Sequence, residues 1–137
     1  VTSSREELFE QSDVLSLHLR LAEETRGIVR RDDLSRMKPT AILVNTSRAE
    51  LIEPDALLSA LNRCRPGMAA IDVYESEPIL QGHALLRLEN CICTPHIGYV
   101  EQDSYEMYFG AAFDNVVNFI KGQPTNIVNP QALQVRR

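Results

Sequence analysis

The stretch TAILVNTSR, residues 40–48, is an apolar run followed directly by polar side chains. Its first part is apolar and partly β-branched, which is typical of a strand covered on both faces of a parallel sheet. Similar apolar runs occupy residues 14–17, 68–74 and 91–94. Helical patterns occupy residues 5–11, 31–37, 53–63 and 101–121, approximately. Short strands alternating with helices predict an α/β fold built on a parallel sheet.

Local signals place some helix ends. Ser4 and Glu7 have the spacing of a capping box, so a first helix is expected from about Arg5 to Gln11. The long pattern from about residue 101 closes at Gly122, with Pro124 just beyond it. The chain therefore ends in a long helix and a tail.

Composition excludes several classes of protein. The chain has 137 residues, enough for one domain with its own core, and a net charge of −5. An acidic chain offers no electrostatic footprint for nucleic acid. Its longest apolar runs are far shorter than the ~20 residues of a membrane span, so no membrane partner is expected. Charges in residues 1–10 do not fit a signal peptide, so a cytoplasmic location is expected.

Three cysteines do not make a disulfide framework or a metal site in this pattern. Cys91 and Cys93 fall in a predicted strand, where we expect them to point to opposite faces. Reduced thiols are the expected state, because disulfides are rare in the cytoplasm.

Polar side chains follow each predicted strand. They are His18, residues 45–48, residues 75–77 and His96. Ligands of parallel α/β sheets bind beyond the carboxyl ends of the strands. A cation, carboxylates and imidazoles at one sheet edge therefore predict an active site.

Three segments resemble signature segments of the D-isomer-specific 2-hydroxyacid dehydrogenases. They are NTSRAELI at 45–52, AIDVYESEP at 70–78 and TPHIG at 94–98. Residues 12–18 and 24–27 are similar to the stretch upstream of them, and the resemblance continues loosely to Asn129-Pro130. It implies the C-terminal half of a doubly wound, Rossmann-type dinucleotide-binding domain over residues 1–100. Residues 101–137 would then be a long connecting helix and the C-terminal tail of the substrate domain.

The resemblance also implies roles for individual residues. Arg48 would bind the substrate carboxylate and polarise the carbonyl, because a guanidinium can hold a carboxylate at two points. His96 would transfer the proton, and Glu77 would hydrogen-bond its other ring nitrogen. Cofactor contacts would come from Asp72, which matches the aspartate that contacts the nicotinamide carboxamide, and from His18, Leu19, Arg20, Thr25, Thr46, Ser47 and Gly98. Arg20 stands where the family usually has Pro, and Ala49 where it usually has Gly.

The implied function is an NAD- or NADP-dependent oxidoreductase that transfers a hydride between nicotinamide and a small D-2-hydroxy acid or 2-keto acid. The alternative is a dinucleotide-sensing co-repressor-like binding protein of the same fold, in which the three polar residues can persist. The Gly-rich turn that the family carries upstream is not found among the six glycines of this chain. We therefore expect the chain to be a fragment, a C-terminal half, that is inactive alone.

The missing half predicts self-association. In the usual doubly wound strand order, the strand at residues 14–17 pairs with a strand that lies upstream of this sequence. An open apolar edge invites pairing with another chain, so we expect a homodimer formed by pairing or swapping at this edge, unless the lost half remains associated with it. Sedimentation of the 137-residue chain should show a dimer. A soluble monomer across the concentration range would contradict this expectation.

Overall fold

Four parallel strands form one sheet in the computed structural model, which describes residues 2–134. Neighbouring strands pair in chain order, and the elements follow the sequence of a β/α alternation. The strands are β1 (Val14–Leu17), β2 (Ile42–Asn45), β3 (Met68–Ile71) and β4 (Cys91–Cys93), and the helices are α1 (Arg5–Gln11), α2 (Arg31–Arg36), α3 (Ala56–Leu61) and α4 (Gln102–Ile120). The predicted α/β class with a parallel sheet is confirmed.

The register of the sheet brings three strand ends to one edge. Leu17 of β1 lies opposite Asn45 of β2, and Asn45 lies opposite Ile71 of β3. The loops that follow these strands therefore begin at the same edge, as the sequence pattern predicts. β4 is shorter and pairs only with β3 in the described chain.

Apolar side chains from β2 and from the two short helices α2 and α3 form the centre of the core. Leu34, Leu43 and Leu61 are almost completely buried. β1 is the opposite edge strand among the described residues, and Val14 on it is 60% exposed. The sheet is thus packed at its centre and open at β1.

α1 is capped and tied to α2 by side chains. The backbone N–H of Glu7 donates to Ser4 Oγ (3.1 Å), which confirms one half of the predicted capping box. The other half is weaker, because the Glu7 carboxylate accepts chiefly from the N–H (2.6 Å) and hydroxyl (2.5 Å) of Ser3, and the backbone of Ser4 contributes less to lowering the pKa of Glu7. Arg5 pairs with the buried Asp33, which also accepts the N–H of Arg30 at the start of α2 (2.7 Å). These contacts fix α1 before the chain enters β1.

A second compact unit begins at Tyr99 and contains α4. After the helix, the tail folds back along it through polar side chains. Asn115 Oδ1 accepts from the hydroxyl of Thr125 (3.1 Å) and from Nδ2 of Asn126 (2.9 Å). Across residues 2–134, no helix combines the length and apolarity needed to cross a bilayer.

The expectation that Cys91 and Cys93 point to opposite faces of their strand is wrong. Successive strand residues alternate between faces, so residues two apart share a face. The two Sγ atoms lie 3.7 Å apart on β4. Cys64 lies elsewhere, in an exposed position after α3. All three thiols are free.

Gly67 lies in the turn between α3 and β3, where the backbone packs closely against Pro39. A Cβ atom there would lie 1.8 Å from the carbonyl oxygen of Pro39. We expect Gly67→Ala to lower the free energy of unfolding by about 2–3 kcal/mol, since the backbone must move to relieve the overlap. Denaturant unfolding followed by circular dichroism measures this change.

Gly82 provides the matched control. A Cβ at Gly82 meets no atom within 4 Å. Gly82→Ala should therefore change the free energy of unfolding by less than about 0.5 kcal/mol. Equal destabilisation by the two substitutions would contradict the packing of the Gly67 turn described here.

Candidate active site

The loops after β1 and β2 form the walls of a cavity at the carboxyl edge of the sheet. The cavity has a volume of about 440 Å³ and is lined by residues 18–21 and 46–48. His18, Arg20 and Arg48 expose their side chains there. The sequence pattern placed polar residues at this edge, and the structure brings these two loops together.

Asn45, the last residue of β2, holds the second of these loops in place. It is 1% exposed, and its Nδ2 donates to the carbonyl of Arg48 (2.9 Å) while its Oδ1 accepts from the N–H of Ser47 (3.1 Å). The hydroxyl of Ser47 donates to the carbonyl of Leu17 at the end of β1 (2.8 Å). The loop is therefore pinned to two strands, whereas the Arg48 guanidinium stays exposed.

Asp72 follows β3 and is the buried anchor of the edge. Its Oδ1 accepts from the hydroxyl of Thr94 (2.5 Å) and the N–H of Ile97 (2.9 Å), and its Oδ2 accepts from the N–H of Gly98 (2.7 Å). Burial by itself would raise the pKa of Asp72. The hydrogen bonds, with the nearby His96, outweigh burial, so the pKa lies below its ordinary value. The group is a carboxylate at neutral pH.

Gly98 approaches Asp72 closely because it has no side chain. A Cβ at this position would lie 2.9 Å from Oδ2 of Asp72 and 3.9 Å from Cβ of Thr46. The glycine thus lets the segment after β4 come down onto the ends of β2 and β3. His96 lies two residues before Gly98 and is therefore placed at the same carboxyl edge of the sheet.

His96 and Glu77 form a pair at this edge. His96 Nδ1 lies 2.7 Å from Glu77 Oε2, and Glu77 Oε1 accepts the N–H of Tyr74 (3.0 Å). The hydrogen bond to His96, then that from Tyr74, then the charges of His96 and Arg48 lower the pKa of Glu77. Both side chains are about one third exposed. These hydrogen bonds fix the geometry of the pair, and both side chains remain partly exposed.

His96 has a left-handed backbone, with φ of 56°. This conformation is uncommon for a residue with a side chain and is enriched in histidine among the few types that adopt it. The residue in this conformation, His96, follows Pro95 and precedes Ile97 and Gly98, whose N–H groups donate to Asp72. The turn directs the imidazole to Glu77 while the following backbone reaches Asp72.

Tyr74 links β3 to the segment after β4 at the same edge of the sheet. Its hydroxyl is within hydrogen-bonding distance of the carbonyls of Ile71 (3.1 Å) and Thr94 (2.9 Å). Burial, and then the neighbouring Cys93, raise the pKa of Tyr74 well above its ordinary value. The ring is therefore a neutral brace between β3 and the segment after β4.

The residues singled out from the sequence fall into three groups. The first group lines the cavity: His18, Leu19, Arg20, Thr46, Ser47 and Arg48. The second group lies in the loops after β3 and β4 and forms two hydrogen-bonded pairs, Asp72 with Gly98 and Glu77 with His96. Thr25 uses its hydroxyl within its own loop, donating to the Arg20 carbonyl (2.7 Å) and accepting the N–H of Ala22 (2.8 Å).

Three positioning residues had no assigned role in the sequence analysis: Asn45, Tyr74 and Thr94. Each ends or follows a buried strand and carries a polar group that binds a neighbouring loop. A buried amide or hydroxyl at a strand end is the signal that could have indicated them, because such a group must find a partner.

Comparison with known proteins gives a consistent match. A family model described as D-isomer specific 2-hydroxyacid dehydrogenase, NAD binding domain, matches residues 1–98. Hydroxypyruvate reductase from Blautia hydrogenotrophica is 41% identical over 124 residues, which make up 90% of this chain and 38% of that protein.

Two crystal structures extend the match to the fold. Phosphoglycerate oxidoreductase from Vibrio cholerae is 54% identical with a TM-score of 0.82, covering 88% of this chain and 39% of its own. D-lactate dehydrogenase from Aquifex aeolicus, complexed with NAD and lactic acid, is 33% identical with a TM-score of 0.75, covering 90% and 41%. The chain thus spans about two fifths of the length of these relatives.

Asp72→Asn tests the anchor. The asparagine amide has nearly the shape of the Asp72 carboxylate. Its NH₂ group replaces one of the two accepting oxygens, so a donor would then face a donor. We expect a loss of about 2 kcal/mol in the free energy of unfolding at neutral pH, typical of lost hydrogen bonds to a charged group. Denaturant unfolding at several pH values measures it.

The pH dependence supplies a second readout. Because the folded pKa of Asp72 lies below its ordinary value of 3.8, its contribution is present above that pH and is lost as the pH falls through the folded value. The difference between Asp72→Asn and the unsubstituted chain should therefore shrink below about pH 4. Asp114→Asn, at an exposed position on α4, is the control and should change little. A pH-independent difference would contradict the assigned hydrogen bonds.

Proposed function

The chain belongs to the D-isomer specific 2-hydroxyacid dehydrogenase family, and we propose that it carries the catalytic residues of an NAD(P)-dependent oxidoreductase acting on a small D-2-hydroxy acid or 2-keto acid. The family match confirms the resemblance seen in the three sequence segments. The observation that carries the functional proposal is the 2.7 Å contact between His96 and Glu77, at the sheet edge where Arg48 is exposed.

The residues at the edge fit a nicotinamide dinucleotide. Asp72 Oδ2 accepts one hydrogen bond from the backbone, and a carboxylate oxygen has room for a second donor such as a carboxamide N–H. The cavity lined by residues 18–21 and 46–48 is open enough for a ligand that lies across the strand ends. When bound there, the dinucleotide supplies or accepts the hydride.

Arg48 is proposed to bind the substrate carboxylate. Its guanidinium is exposed, and its backbone is held by Asn45 and by the Ser47 loop. A planar guanidinium offers two parallel N–H donors to a carboxylate, which orients the substrate as well as binding it. Its charge also draws electron density toward the adjacent carbonyl oxygen and so favours hydride addition at the carbonyl carbon.

His96 is proposed to be the acid–base residue. Glu77 pairs with Nδ1, so Nε2 is the ring nitrogen that we assign to proton exchange with a substrate oxygen. The protonated ring donates to the keto oxygen during reduction, and the neutral ring accepts the proton during oxidation. The Glu77 carboxylate holds the orientation of the ring through its contact with Nδ1, so it is a positioning residue in this scheme.

The substrate class follows from the same groups. One guanidinium and one imidazole recognise a carboxylate and the oxygen on the neighbouring carbon, which are shared by all small 2-keto acids. Relatives are named as reductases of glyoxylate and hydroxypyruvate. We propose substrates of this size for the protein to which this chain belongs, with NAD or NADP as cofactor.

A chimera tests the proposal. This chain would replace the matching segment of the Blautia hydroxypyruvate reductase, which supplies the other three fifths of a subunit. We expect the chimera to oxidise NADH or NADPH with hydroxypyruvate or glyoxylate. Arg48→Gln and His96→Gln should each lower kcat/KM by 10²-fold or more, as expected for lost charge stabilisation or acid–base catalysis. A folded, dinucleotide-binding chimera without turnover would contradict the proposal.

Glu77→Gln in the chimera tests the pairing specifically. Without the carboxylate the ring loses the acceptor that holds its orientation, so kcat should fall about 10-fold or more while KM for the keto acid changes little. Glu75→Gln is the control, because the Glu75 carboxylate lies by His83 (3.6 Å). An unchanged kcat in Glu77→Gln, or equal losses in both variants, would count against the His96–Glu77 pair.

A further inference from the structure

β4 presents two thiols on one face. Cys91 and Cys93 are half-buried, with their Sγ atoms 3.7 Å apart, while Ile92 between them is exposed on the other face. Cys91 lies opposite Ala69 and Cys93 opposite Ile71 in the sheet. Cys93 also neighbours Tyr74, the brace of the site proposed above, but neither thiol has a role in the chemistry proposed there.

The strand backbone does not suit a disulfide between these residues. Alternate residues of an extended strand are about 6.6 Å apart, and their Cβ atoms point the same way. A disulfide needs Cβ atoms about 3.5–4.5 Å apart and sulfurs about 2.05 Å apart. Hydrogen bonds from Ala69 to the Asn90 carbonyl and from Thr94 to the Ile71 carbonyl, both 3.0 Å, keep this part of the strand extended.

The same spacing suits one bridging atom. Bonds from thiolate sulfur to a soft centre such as zinc are about 2.3 Å, so two sulfurs on one tetrahedral centre lie about 3.8 Å apart. On a pyramidal centre with narrower angles they lie a few tenths of an ångström closer. The observed separation is 3.7 Å, so the two sulfurs can hold one soft atom after a shift of a few tenths of an ångström, which side-chain rotation supplies.

The number of protein ligands narrows the class of that atom. Within residues 2–134, no group of three Cys, His, Asp or Glu side chains could hold a metal ion. Structural zinc sites need four ligands. The pair is better suited to an atom that already carries an organic substituent and needs only two protein sulfurs to complete its bonds.

We propose that Cys91 and Cys93 form a two-thiol site that captures monosubstituted trivalent arsenicals. An organic arsine oxide, R–As=O, condenses with both thiols. Two As–S bonds form, the As=O bond is broken, and the two thiol protons leave with the oxygen as one water molecule. Arsenic stays trivalent, so no oxidant or reductant is consumed. The organic group remains as the third substituent on arsenic.

Cys91 enters this condensation as a thiol. Burial, then the neighbouring Cys93, raise the pKa of Cys91 to about 12. Cys91 is therefore protonated at neutral pH, and thiolates are the form that attacks peroxides. We expect Cys91 to resist oxidation by peroxide, and its proton to leave with the oxygen of the arsenical.

Phenylarsine oxide is the probe. One equivalent added to the 137-residue chain should give a single adduct in the intact mass, and proteolytic mapping should place it on the peptide that contains both cysteines. Excess glutathione should leave the adduct in place, whereas 2,3-dimercaptopropanol should remove it, because only a dithiol can replace both As–S bonds.

Cys64 provides the matched control, since it is an exposed single thiol. Cys64→Ser should keep the glutathione-resistant adduct, and Cys91→Ser or Cys93→Ser should lose it, with folding checked by circular dichroism. Mapping of the unsubstituted chain decides the site even if a variant fails to fold. No adduct, an adduct on Cys64, retention in Cys91→Ser, or a ready Cys91–Cys93 disulfide on treatment with hydrogen peroxide would overturn the proposal.

Discussion

The buried carboxylate of Asp72 is the constraint on which the candidate site depends. It directly follows β3 and accepts three hydrogen bonds from the segment that follows β4. This segment has no regular structure of its own, so its position is set largely by that carboxylate and by the absence of a side chain at Gly98. Because His96 lies inside the segment, the imidazole is positioned by a residue of another strand.

Buried groups position the loops of the site, and exposed groups carry its charges. Asn45, Asp72 and Tyr74 are buried and bind backbone groups, so they hold the loops at the carboxyl edge. Arg48 and the His96–Glu77 pair are exposed to a ligand and carry the charges. Such a division preorganises the reacting groups without burying their charges at high cost.

The sequence predicted the elements better than the contacts between them. The bounds of β1 and α1 match the prediction, since an apolar run and a capping serine are local signals. α3 is shorter than predicted, because Asp55 and Cys64 adopt left-handed backbones beside its two ends. A polar side chain at a strand end signals that Asn45 and Thr94 need partners, but the partners themselves could not be predicted, because they depend on which loop lies beside each residue.

The most direct test is a crystal structure of the chimeric subunit with NADH and oxamate, a 2-keto acid analogue that is not reduced. We predict that the Arg48 guanidinium contacts the oxamate carboxylate, that His96 Nε2 faces the neighbouring carbonyl oxygen, and that Asp72 Oδ2 accepts from the nicotinamide carboxamide. Oxamate bound away from Arg48 and His96, with Glu77 separated from the imidazole, would contradict the account.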